Sequence, residues 1–274
     1  MGDSGKKGAL RIKLCGIRRI EDVGYVNEAM PDFAGFVFAP GRRQVDVPTA
    51  RALRERLSPA IRAVGVFVDE DPAAIIRLLR EGTIDIAQLH GGEDEAQIRR
   101  IKGATGKPVV KAVSLPGVDR DVPPGGAPGN ESAAGNGLGL GSLAGDVHDI
   151  HTEESRAVRT LSVAQGDALR AIRRWQGSAA DYLLFDQGKG GTGRTFDWKL
   201  LEMSGNRKPY FLAGGLNIGN IKDALAFSRQ MWESGGKSTS APFALDLSSG
   251  IETDGVKDRG KILEIVGAIR YAGD

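Results

Sequence analysis

The side chains able to do chemistry are few and are spread along the whole chain. The apolar run Tyr182-Leu183-Leu184-Phe185 suits a strand buried on both faces, and it delivers a single acid, Asp186, to its carboxyl end. A carboxylate at that position is costly to bury without a partner or a job. Gly190-Gly191-Thr192-Gly193 follows closely, a segment whose backbone N–H groups can close on an anion. Cys15, Arg43, His90 and Asp246 each fall at, or just beyond, the end of another apolar run. Taken singly, Cys15 reads as a small buried hydrophobe and Arg43 as a solvated cation. The shared placement of all five groups is what argues for a site.

The elements that must hold these groups follow from periodicity. Strand-length apolar runs alternate with helix-period segments, the pattern of βαβ units on a parallel sheet. The predicted strands are Ile12 to Leu14, Phe33 to Phe38, Ala63 to Val68, Ile86 to Leu89, Val109 to Val113, Tyr182 to Phe185, Tyr210 to Ala213 and Ala244 to Asp246. Helices are expected at Ile20 to Ala29, Pro48 to Arg56, Pro72 to Glu81, Ala168 to Trp175, Ile218 to Ser228 and Asp258 to Ala268. Eight strands is the closure number of a (β/α)8 TIM barrel, and 274 residues suit a single domain of that kind, which typically takes about 250. In such barrels reacting groups sit at the carboxyl ends of the strands, and phosphate sites are frequently built by the last loops. Gly191, Gly193, Gly214, Gly215, Ser248 and Ser249 follow the sixth, seventh and eighth strands and are the candidate phosphate cradle. The Ser248-Ser249 pair adds hydroxyls and amides that suit an anion.

One long stretch breaks the alternation. Residues 116–162, rich in Gly, Pro, Ser and Ala, cannot bury enough apolar surface to offset their ordering entropy, and they are expected to form a disordered insertion in the barrel after the fifth strand. The next helix is displaced or lost until Ala164. Two of the three histidines, His148 and His151, lie in this stretch, so its His and Asp residues lack the rigid scaffold a metal needs. No metal is expected.

Composition narrows the function classes. A net charge of +2 gives no general pull towards nucleic acid or membrane, so an anion must be bound locally. With one cysteine no disulfide can form within the chain, and no secretory or membrane-spanning run appears, which together point to the cytoplasm. Met1 to Gly8 reads as a frayed terminus. Nothing in the patterning specifies an oligomeric state.

The segment LLFDQGKGGTGRTFDW resembles that of the phosphoribosylanthranilate isomerases of tryptophan biosynthesis. Lys13 to Gly16, Gly41 to Val45, Gln88 to Gly91, Leu212 to Leu216 and Asp246 to Gly250 resemble the same family, in the family's order. The resemblance implies a (β/α)8 barrel that turns N-(5′-phosphoribosyl)anthranilate into 1-(2-carboxyphenylamino)-1-deoxyribulose 5-phosphate, an Amadori rearrangement needing no cofactor. It further implies Cys15 as general base, Asp186 as general acid, Arg43 at the anthranilate end and Asp246 beside the substrate amine. His90 is expected to position the substrate from its own place in the sequence, at the head of the Gly- and acid-rich loop Gly91 to Glu95. Departures are Gly41, where the family usually has Ser, and the insertion. If these roles hold, Asp186 should have a raised pKa and Cys15 a lowered one, helped by Lys13.

Other readings share the late-strand phosphate site. Indole-3-glycerol phosphate synthase would be expected to use a catalytic lysine, and the histidine-pathway aminoaldose isomerase usually has an aspartate where this chain has Cys15. A barrel that only binds a phosphosugar would have no need to keep both Cys15 and Asp186.

Overall fold

The computed structural model describes residues 10–115, 162–187, 197–234 and 240–272. Its strands are β1 (Arg11–Cys15), β2 (Phe33–Val37), β3 (Arg62–Phe67), β4 (Ile86–Leu89), β5 (Val109–Ser114), β6 (Tyr182–Asp186), β7 (Tyr210–Leu212) and β8 (Ala244–Leu247). All pair in parallel with their sequence neighbours, and β8 pairs with β1 to close the barrel. Each expected strand is present, with ends displaced by a residue or so.

The helices are α1 (Ile20–Ala29), α2 (Val47–Arg56), α3 (Pro72–Arg80), α4 (Glu95–Thr105), α5 (Val163–Gln176), α6 (Lys199–Ser204), α7 (Ile221–Glu233) and α8 (Arg259–Tyr271). Five of them start on a side-chain cap that accepts from an otherwise orphaned backbone N–H: Asp46, Asp71, Asp94, Ser162 and Asp258. Ser162 and Gln165 form a reciprocal capping box, so Ser162 belongs to α5 rather than to the expected 116–162 insertion. The rest of that insertion lies outside the described residues. The fifth helix begins at Val163, one residue before Ala164, where it was expected to resume.

Alternation along the strands builds two shells. Ile12, Leu14, Ala34, Phe36, Leu183, Phe185, Leu245 and Leu247 pack outward against the helices. Phe33, Val64, Ile86, Val110, Leu184, Phe211 and Ala244 fill the barrel interior. At its amino-terminal end the interior is plugged by Phe33, Tyr182, Phe211 and Phe243, whose neighbouring ring centroids lie 4.7–6.1 Å apart. The same alternation places Lys13, Cys15, Gln88, Asp186 and Asp246 on the inner side at the other end, above that plug. A short hairpin, β9 (Glu252–Thr253) and β10 (Val256–Lys257), follows β8.

Candidate active site

The first and eighth strands of the barrel share a buried ion pair. Lys13 Nζ donates to both carboxylate oxygens of Asp246, at 2.9 and 3.0 Å, and Lys13 has no solvent exposure. Their positions are adjacent in the β1–β8 register. Burial lowers the Lys13 pKa, but Asp246 and then Cys15 outweigh it and the net direction is upward, so the ammonium stays charged. Breaking a buried pair of this kind typically costs about 3–5 kcal/mol. Two residues further on, the Cys15 thiol faces Gly35 of β2 in the register. Its pKa is raised: burial pushes it up, Lys13 pulls it down, Asp246 pushes it up again and Lys257 pulls it down. The lowered thiol pKa expected from sequence is therefore corrected, because desolvation exceeds the help from Lys13.

Across the mouth, Asp186 ends β6 with its Oδ1 accepting from the Gln187 N–H at 2.8 Å and its Oδ2 3.6 Å from His90 Nε2. Burial pushes its pKa up, yet His90, the Gln187 N–H and the Lys13 charge together bring it below the ordinary carboxylate value. The raised pKa expected for Asp186 counted on the substrate's phosphate and carboxylate charge as well as on burial; from the protein's own groups the direction is downward. His90 is oriented in turn by Gln88, whose Nε2 lies 2.9 Å from His90 Nδ1 while its buried Oε1 has no protein partner. The loop that follows His90 is fastened from outside the barrel: Lys111 Nζ donates to Gly91 O at 2.6 Å and to Glu93 at 2.8 Å.

Arg43 lies over Gly16, the residue after Cys15, but is not a free cation. Its Nε and Nη2 donate to the two oxygens of Glu252 at 2.7 and 2.8 Å, and its stem packs on Gly16, where an added Cβ would stand 2.5 Å from Arg43 Cδ. Gly16 also has φ +83°, so this glycine is required twice over. Glu252 accepts from Lys257 as well, at 2.8 Å. Burial pushes the Glu252 pKa up, but the bonds from Arg43 and Lys257 bring it to about 2. Glu252, Lys257 and Gln88 were not singled out from sequence. The Asp254-Gly255 dipeptide, with φ of 50° and 77°, is the hairpin signal that could have paired Glu252 with Lys257.

The late loops converge as expected for part of the cradle. Gly214 and Gly215 follow β7 with φ of 91° and 67°, and Ser249–Ile251 form a single 3-10 turn after β8. An added Cβ on Gly250 would stand 2.0 Å from Leu216 O, so the two loops interlock there. The Ser248 hydroxyl donates to Cys15 O at 3.2 Å, which ties the β8 loop to the thiol's own backbone. Gly191 and Gly193 lie outside the described residues, as do His148 and His151. Among the described residues no three His, Cys, Asp or Glu side chains are grouped to hold a metal.

The closed fold and the groups at the carboxyl ends of its strands define a (β/α)8-barrel enzyme. The family model described as N-(5′phosphoribosyl)anthranilate (PRA) isomerase matches residues 12–122 and 141–268. The chain belongs to this family. The N-(5′-phosphoribosyl)anthranilate isomerase of Endomicrobium trichonymphae is 37% identical over 264 residues, covering 95% of this chain and 98% of its own. Among solved structures, the phosphoribosyl anthranilate isomerase of Thermus thermophilus is similar at 28% identity and a TM-score of 0.64, over 96% of this chain and 99% of that one. A phosphoribosyl anthranilate isomerase in complex with reduced 1-(O-carboxyphenylamino)-1-deoxyribulose 5-phosphate is similar at 25% identity and a TM-score of 0.65, over the same shares of the two chains.

Proposed function

We propose that this chain converts N-(5′-phosphoribosyl)anthranilate into 1-(2-carboxyphenylamino)-1-deoxyribulose 5-phosphate in tryptophan biosynthesis, with Asp186 as acid and Cys15 as base. The observation that carries the assignment of roles is that both groups sit on the inner side at one end of the barrel, on β6 and β1, where the Lys13 charge acts on each. Asp186 gives its proton to the furanose oxygen as the bond from C1′ to that oxygen breaks, and the nitrogen lone pair forms the C1′=N bond of a protonated Schiff base. The Cys15 thiolate then removes the C2′ proton. The C–H electron pair becomes C1′=C2′ and the imine pair returns to nitrogen. The resulting enolamine loses its hydroxyl proton and gains one at C1′, which gives the 2-ketose.

Around these two groups, Asp246 receives the substrate amine, Arg43 its carboxylate and His90 the sugar, while Gly191, Gly193, Gly214, Gly215, Ser248 and Ser249 take the phosphate. The interlocked loops at Gly250 and Leu216 support that placement. Residues 1–274 form one catalytic domain whose partner is a small phosphosugar, and it works in the cytoplasm. No helix of the described residues is long and apolar enough to cross a membrane.

The test is turnover of synthesised phosphoribosylanthranilate by the purified chain. Cys15→Ser and Asp186→Asn should each fold, still bind product, and lose about two to four powers of ten in kcat. Near-native turnover by either variant removes that residue from its role.

A further inference from the structure

Two buried charged groups at the mouth have no part in the steps above. Lys257 is 4% exposed and lies on the hairpin after β8, and Glu252 faces it in the antiparallel pair. Lys257 Nζ donates to Ser248 O at 2.9 Å and to Glu252 Oε1 at 2.8 Å. Ser248 is bonded through its hydroxyl to Cys15 O, so the ammonium is two hydrogen bonds from the backbone of the thiol-bearing residue. The fork of Arg43 spans both oxygens of Glu252, sharing Oε1 with Lys257, and Arg42 Nη2 donates to Oε2 at 3.2 Å. The hairpin is itself tethered, since Arg18 donates to Gly255 O and to Arg42 O, at 3.4 and 3.2 Å.

Burying an ammonium and a carboxylate is expensive, and apolar residues of similar volume usually serve stability as well. Their electrostatic reach suggests what they are for. We propose that Lys257 and Glu252 are positioning residues for the isomerisation: Lys257 is a second cation, beside Lys13, that favours the Cys15 thiolate, and Glu252 holds Arg43 at the substrate carboxylate. The field of Lys257 acts on the thiol in the required sense, and the thiol's charge acts back on Lys257. Lys13 is already committed to Asp246 through both carboxylate oxygens, which weakens its net effect at the sulfur. Lys257 is likewise shared with Glu252, so Glu252 tempers the cation. Removing Glu252 should therefore strengthen the effect of Lys257 on the thiol while it frees Arg43.

This inference rests on Cys15 being the base, but its titration arm needs no turnover. Cys15 is the one cysteine of the chain, so alkylation by iodoacetamide, followed by intact mass across a pH series, reports its ionisation alone. Lys257→Met should move the thiol titration up by about one unit, roughly a tenfold slower alkylation at a fixed pH below it. Lys257→Arg should restore it. Glu252→Gln should move the titration the opposite way, with a raised KM as Arg43 loses its anchor. A merely structural role would move neither titration, or both in one direction, and either result overturns the proposal. Should Lys257→Met fail to fold, Lys257→Gln, which keeps a donor towards Ser248 O, takes its place: an upward shift of the thiol titration supports the proposal, and no shift or a downward one overturns it. A chain that alkylates as expected yet shows no turnover would leave these charge relationships standing and sink the isomerase reading instead.

Discussion

Cys15 and Gly35 face each other across the β1–β2 pair, and a methyl group added to Gly35 would stand 2.8 Å from the Cys15 sulfur and 3.1 Å from its Cα. The thiol occupies space that exists because its neighbour has no side chain. Gly35→Ala should therefore displace the sulfur, and a shift of about 1 Å in a reacting group can cost a hundredfold in rate. The expected outcome is a kcat reduced about ten- to a hundredfold in a variant with a native circular dichroism spectrum. An unchanged kcat would show that the sulfur's position is not critical.

The directions of the two pKa shifts fix the shape of the pH profile. Asp186 must be protonated to act, yet its pKa is lowered, and Cys15 must be ionised, yet its pKa is raised. The productive combination is then a minor but constant fraction between the two values, so kcat/KM should be flat across neutrality and fall on both sides. Since His90 is the main group pulling Asp186 down, His90→Ala should move the acid limb to higher pH. An acid limb unmoved in that variant would detach His90 from Asp186.

Glu252 makes a specific contribution to acid stability. Its folded pKa of about 2 lies below the ordinary 4.5, so its stabilising effect is fully present above 4.5 and is lost as the pH falls towards 2. Urea denaturation should find Glu252→Gln less stable than the parent at about pH 6, with a smaller gap at about pH 3. A gap that is equal at both values would mean that the Arg43 and Lys257 bonds do not depend on the carboxylate charge.

Gly250→Ala should force the β7 and β8 loops apart, since the new methyl group would meet Leu216 O at 2.0 Å. If these loops grip the phosphate about equally in the ground and transition states, KM should rise about tenfold or more while kcat changes less. A steady-state comparison that finds KM unchanged would place the phosphate elsewhere.

What the sequence made legible followed from local patterning. A parallel strand covered on both faces is a near-continuous apolar run, so Ile86 to Leu89 could be read to the residue. Helix α1 was equally legible, whereas α4, with only Ile98 and Ile101 buried on a charged surface, and the short α6 were not singled out. The five groups first chosen as chemical do lie at strand ends or on the loops beyond them, because the barrel delivers all such positions to one mouth. Their partners were hidden. Lys13 meets Asp246 across 233 positions and Arg43 meets Glu252 across 209, and no local pattern encodes such pairs. The pKa directions were reversed for the same reason: the burial of Cys15 and the approach of His90 to Asp186 are set by other strands.

The Lys13–Asp246 pair also dates the moment at which the site comes into being. Lys13 is on the first strand of the barrel and Asp246 on the eighth, so a chain made only as far as β7 holds a lysine whose place in the interior has no counter-ion. Sealing such a fragment into a compact body would strand that ammonium in apolar surroundings, and the open edges of β1 and β7 would remain unpaired as well. Barrel closure, burial of the charge and assembly of the thiol's surroundings thus become one late event, and truncated products of translation carry Cys15 without the environment that gives it a use.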